Sequence, residues 1–288
     1  MIRKTGFIVV LLALGLAAGC GKSSKDKAQE EKMRVPDSLL APIAAYHLTV
    51  DEYHPIRGGV MANQQIELHY PASPFARLLA VKTFGYVRDG YEKVAKEIGR
   101  PTEGKLVIIG STDLDEYRVL TRKEWWYYGY VKGDTIYFEP YDIMIQRHIA
   151  DVGYTQRIAQ VALNRRSGGR IPLWLREAVA SRLSGEGAII KMQMEEFRLA
   201  GQQLDFSPDE IEIAIGEGVD RYKSRVAYYD AYRMLENLLA FASMNDVYMF
   251  LDKLREGLSL DEASRAVFGM SYGALIDRVR VDRPGRGR

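Results

Sequence analysis

The 288-residue chain has one cysteine, Cys20, and four histidines, His47, His54, His69 and His148. A single thiol excludes an internal disulfide framework and a thiolate cage around zinc. Net charge is also nearly missing. The formal excess is +2, and Arg3 and Lys4 supply it, leaving 38 basic against 38 acidic side chains beyond the first nineteen residues. A balance of this kind offers no electrostatic case for nucleic acid, whose binding rests on clustered Lys and Arg against phosphate. The Arg-rich end, RVRVDRPGRGR, reads as a solvated tail. There is no Gly-x-Ser-x-Gly elbow, P-loop or dinucleotide fingerprint, and Gly185-Glu186-Gly187 is too short to stand for one. No repeat of solenoid period occurs. What is plentiful is apolar material, 47% of residues, enough to bury a substantial core.

The one uninterrupted apolar run lies near the start. Arg3 and Lys4 precede Phe7 to Ala18, a charged region followed by an apolar stretch too short to span a bilayer. It reads as a secretion signal over residues 1–19. Leu16-Ala17-Ala18-Gly19-Cys20 resembles the lipobox of bacterial lipoproteins, with Ala17 where Leu is usual. The resemblance implies cleavage before Cys20 and lipid on its sulfur, so that the membrane is one expected partner and no thiol remains for catalysis. Residues 20–36, with GKSSKDKAQEEKMRVP after the cysteine, show no apolar periodicity and read as a flexible tether. Such a segment would reach roughly 20–25 Å. Gly21 rather than Asp after the cysteine resembles the pattern of lipoproteins sorted to an outer membrane in cells that have one.

Residues 37–280 are expected to fold, with strands and helices over 37–145 and helices over 146–280, followed by the basic tail at 281–288. Tyr46 to Met61 gives no clear pattern. Gln65 to Tyr70 predicts a strand, and Ser73 to Ile98 a long helix with Phe75, Leu78, Leu79, Phe84, Val87, Tyr91, Val94 and Ile98 at helical spacing. Lys105 to Gly110 predicts a second strand and Thr112 to Leu120 a short helix. Trp125 to Pro140 reads as a hairpin turning at Lys-Gly-Asp, with Trp126, Tyr128 and Tyr130 on one face and Trp125, Tyr127 and Val131 on the other. From Tyr141 the pattern is helical, with a Ser207-Pro208 start, a capping box at Ser259-Leu260-Asp261-Glu262 and a stop at Gly269. This order predicts an α+β fold with a mostly helical second lobe.

The run from Gln65 to Val279 resembles the peptidase MA-like, or gluzincin, metallopeptidases. Ile171-Pro172-Leu173-Trp174-Leu175-Arg176-Glu177-Ala178-Val179-Ala180 follows that family's Pro-x-Trp-Leu-x-Glu-Gly-x-Ala element, with Ala178 where Gly is usual. Gly257 to Ala263, followed by Phe268-Gly269, resembles its C-terminal elements. The resemblance implies that Glu177 stands at the third zinc ligand and that Gln156-Arg157-Ile158-Ala159-Gln160 occupies the His-Glu-x-x-His position. Both imidazoles are then glutamines, and the general base is an arginine. An amide oxygen is a weak zinc donor, and a permanent cation can neither deprotonate a zinc-bound water nor sit comfortably beside the ion. His148, two helical turns before Gln156, is too far to substitute, and Glu186 and Glu195-Glu196 read as solvated acids. The apolar stripe Ile145, Ile149, Val152 and Leu163 continues through Gln156 and Gln160, which places them inward.

The expectation is a pseudoenzyme with no cofactor and no metal, in which Glu177 is satisfied by Arg157, Gln156 or Gln160. Its role would be binding an envelope protein or peptide, with Trp126, Tyr128 and Tyr130 as candidate contacts. Two other classes stay open: an envelope glycan binder using those aromatics with Tyr228, Tyr229 and Tyr232, and a hydrolase with an atypical site.

Overall fold

A computed structural model describes residues 58–71, 74–199, 206–218 and 220–280. The expected signal, Cys20, the tether, the tail, His47 and His54 lie outside the described residues.

Five strands form one sheet: β1 (Gly59–Ala62), β2 (Ile66–Tyr70), β3 (Leu106–Gly110), β4 (Gly129–Lys132) and β5 (Thr135–Phe138), in the order β1-β2-β3-β5-β4. The central strands β2, β3 and β5 run parallel, while β1 and β4 are antiparallel edges. Leu68, Ile108 and Ile136 stand in register across the centre and are fully buried. Ile66, Leu106 and Phe138 lie on the same inward face, as period-two alternation requires. Strand β1 falls where the sequence shows no pattern, because an exposed edge strand needs no alternation of apolar residues. The hairpin turns at Gly133 and Asp134 as expected, with Gly133 at φ 57. Its first arm is shorter than the sequence suggests: pairing begins only at Gly129, and Trp125-Trp126 form a turn.

Helix α1 (Pro74–Glu97) packs on the sheet and on α4 (Ala150–Arg166), preceded by α2 (Leu114–Thr121) and α3 (Tyr141–Gln146). The expected inward stripe of α1 holds at Val87, Tyr91 and Val94, but Leu78 is exposed. The helical pattern from Tyr141 breaks between α3 and α4, where His148 adopts φ 55. Beyond come α5 (Leu173–Ser184), α6 (Glu186–Leu199), α7 (Pro208–Glu217), α8 (Arg221–Leu239), α9 (Met244–Arg255), α10 (Leu260–Phe268) and α11 (Tyr272–Val279). Capping boxes at Ser207 and Ser259 start α7 and α10, and Gly269 ends α10 at φ 72. The strand-then-helix order is therefore present. One continuous apolar core runs from the sheet through α1, α4, α5, α8 and α9.

Helix α4 lies at the centre. Every residue from Gly153 to Leu163 is buried, so the helix is enclosed on all sides. It carries Asp151 in its first turn and Arg165 and Arg166 in its last, charges placed to complement its dipole.

Candidate functional site

The middle of α4 carries polar groups into this core. Gln156 is 1% exposed, Gln160 2% and Arg157 5%, so the inward placement read from the apolar stripe holds. Glu177, on α5, is 2% exposed and faces them. Gln160 donates from Nε2 to Glu177 Oε2 at 2.5 Å. The Arg157 guanidinium lies 3.8 Å from the same oxygen. The other oxygen, Oε1, accepts from Arg176 Nε and Nη2 at 3.1 and 2.8 Å. The carboxylate thus has three cationic or amide partners, and a buried ion is stable only when so supplied. Arg176 is the partner the sequence reading missed. A neighbour in a helix normally points elsewhere, but its long side chain folds back onto the carboxylate.

Gln156 does not reach Glu177, contrary to one of the expected pairings. Its Nε2 donates to Ser181 Oγ at 3.0 Å, one turn further along α5, and its Oε1 accepts from the Tyr128 hydroxyl. That hydroxyl also lies 3.0 Å from Glu186 Oε1. A phenol has one proton and cannot serve two acceptors. Burial raises the Glu186 carboxyl above its ordinary value, against the opposing charge of Arg157. Glu186, expected to be solvated, instead turns its carboxyl inward because Gly185, at φ 91, ends α5 and swings α6 back over the site. Burial likewise raises the Tyr128 and Tyr228 phenols well above their usual range. Desolvation works against the charge of Arg157, but the neighbouring Glu177 and Glu186 carboxyls favour it, and the guanidinium stays cationic.

Two glycines make these approaches possible. A Cβ on Gly153 would stand 3.0 Å from the Tyr128 ring, which lies across α4 at that point. A Cβ on Gly129 would stand 2.9 Å from Arg157 Cγ, so Gly129 lets the arginine stem pass beneath the edge strand β4. The guanidinium then sits 4.8 Å from the centre of the Tyr128 ring, a cation–π contact.

Arg157 and Tyr228 separate two hollows. One, of about 270 Å³, is lined by Tyr130, Gln160, Arg176 and Glu177. The other, of about 230 Å³, is lined by Trp126, Tyr128, Gln156, Glu186, Arg221 and Arg225, with apolar walls from Ile149, Val152, Ile189 and Ile190. The three hairpin aromatics therefore do not form one exposed row. Tyr128 points into the polar network, Trp126 lines the second hollow and Tyr130 the first. The exposed ring is Trp125, at 39%, with the guanidinium groups of Arg147 and Arg221 at 5.5 and 5.2 Å from its centre. Tyr229 and Tyr232 are buried among the helices, which removes them from any stacking platform for a sugar.

These residues do not fit zinc. Glu177 is taken by two arginines and a glutamine, the Glu186 carboxyl is met by the Tyr128 and Ser181 hydroxyls, and the groups that α4 itself offers are two amides and a guanidinium. Among the described residues no three His, Cys, Asp or Glu side chains gather as a metal site would require. No helix among them is long and apolar enough to cross a membrane. No family model matches the chain, and no curated protein is similar enough to count as a relative.

Proposed function

We propose that this protein is a lipid-anchored pseudo-metallopeptidase of the cell envelope that uses a gluzincin-like cleft to bind a protein or peptide without cleaving it. The observation that carries this reading is the occupation of Glu177. Where the resembled family places a zinc ion, the carboxylate meets Gln160, Arg157 and Arg176. A site with its own counter-cation has no electrostatic need for a metal, and the position of the general base holds a group that cannot accept a proton. Both glutamines facing α5 agrees with descent from a site that once held a shared ion.

The lipid anchor rests on the sequence around Cys20. Replacing it, Cys20→Ser, is expected to release the protein from membranes or leave it uncleaved, and unchanged fractionation and processing would count against the anchor. The ancestry is tested by restoration. Gln156→His, Arg157→Glu and Gln160→His made together should create zinc affinity, read by calorimetry. A folded triple variant that binds no zinc would remove the metallopeptidase reading.

A further inference from the structure

The hollow between α4, α6 and α8 carries a chemistry that the closed Glu177 centre does not. Arg221 and Arg225 lie one turn apart on α8, both exposed, and both line its mouth. Among the described residues, neither has a carboxylate within ion-pairing distance, whereas Arg147, Arg157, Arg165, Arg166 and Arg176 all do. Burial and the like charge of Arg221 lower the Arg225 guanidinium from its ordinary value, as expected where two cations are held together. Trp126 lines the hollow, and its indole Nε1 is buried and has no hydrogen-bond acceptor. A buried donor left without an acceptor is costly, and a ligand oxygen would relieve it. The remaining wall is apolar: Ile149, Val152, Ile189 and Ile190.

We infer that this hollow binds the C-terminal residue of a peptide, with its free carboxylate between Arg221 and Arg225, its apolar side chain against Ile149, Val152, Ile189 and Ile190, and its preceding carbonyl accepting from Trp126. Each part of the ligand answers a feature of the wall. Two guanidinium groups without a carboxylate partner suit a planar carboxylate. The orphaned indole N–H calls for an acceptor within the body of the ligand, which an alkyl chain lacks. The volume of about 230 Å³ falls below the roughly 300–1,000 Å³ of pockets for larger ligands, which limits the occupant to a residue or two.

This deepens the binding role proposed above and rests on it only in requiring that the peptide is held intact. The test uses the purified full chain in detergent and three probes: acetyl-alanyl-leucine, the same peptide with a C-terminal amide, and octanoate. Calorimetry should show the peptide acid binding at least about tenfold more tightly than the amide or octanoate. Arg225→Gln and Arg221→Gln should each weaken the acid about fivefold or more and leave the amide unchanged, since a charge-assisted contact is what they remove. Trp126→Phe keeps an aromatic ring, smaller than the indole, and removes the N–H, and should weaken acid and amide alike. Equal binding of acid and amide, equal binding of octanoate, or no binding of the acid up to about 10 mM would overturn the proposal. Mass spectrometry of the recovered peptide separates the two readings. Cleaved peptide would sink the non-hydrolytic role whether or not the carboxylate preference holds.

Discussion

The two hollows flanking Arg157 differ in how their charges are settled. On the Glu177 side every charged group has a partner inside the protein: one carboxylate holds Arg157, Arg176 and an amide. On the Trp126 side, among the described residues, two arginines have no carboxylate within ion-pairing distance and an indole N–H has no acceptor. The first arrangement spends its electrostatics on holding α4 against α5, while the second leaves donors available. The lesson is that a buried ion pair and a binding site can sit on the same helix, less than a turn apart, and be told apart by what is left unpaired.

Breaking the closed side should have the largest effect. Glu177→Ala leaves Arg157 buried without its carboxylate and is expected to cost about 3–5 kcal/mol, read by urea denaturation. A loss no greater than that of a surface substitution would mean that Glu177 does not hold the centre together. Next comes the amide between the two sides. Gln156→Ala removes two buried hydrogen bonds, one to Ser181 and one from Tyr128, and should cost about 1–3 kcal/mol.

A third effect depends on pH and lies at the rim. Glu139 is fully buried at the end of β5, accepting from Arg147 Nη1 at 3.0 Å on both oxygens. Burial raises its carboxyl to about 7, with Arg147 opposing the shift. Because the folded value lies above that of the unfolded chain, the protonated form favours folding. Its contribution is complete below about pH 4.5 and is lost as pH rises toward 7, by an amount on the order of 1–3 kcal/mol. Stability measured across that window should fall for the native chain, and Glu139→Gln should flatten the fall. The smallest effect belongs to the open side: Arg221→Gln should change stability by no more than about 0.5 kcal/mol. A large loss there would show that Arg221 is structural and erase the contrast between the two hollows.

Much of the architecture was legible in the sequence because the local signals agreed. The strand at Leu106–Gly110, the long helix over 74–97, the hairpin glycine and the serine caps each follow from pattern and turn chemistry. Edge strand β1 was not, since its half-exposed residues carry no alternation to read. The break at His148 was hidden because apolar residues continue across it in helical spacing. For the site, inward placement of Gln156 and Gln160 could be read from their neighbours. Their partners could not. Arg176 reaches Glu177 by folding back within its own helix, Gln156 turns to Ser181, and Glu186 turns its carboxyl inward only because Gly185 reverses the chain. The charge state of Glu186 depends on that reversal and on Tyr128, which comes from a distant strand arm. None of these contacts has a signature in spacing.

The central claim is that Arg157 and Arg176, not a metal, balance Glu177. Elemental analysis of the purified full chain, prepared from cells grown with added zinc and stripped of loosely held ions by dialysis, tests it most directly. The account expects no stoichiometric zinc or other transition metal, whereas one tightly held zinc per chain, lost on Glu177→Ala, would contradict it.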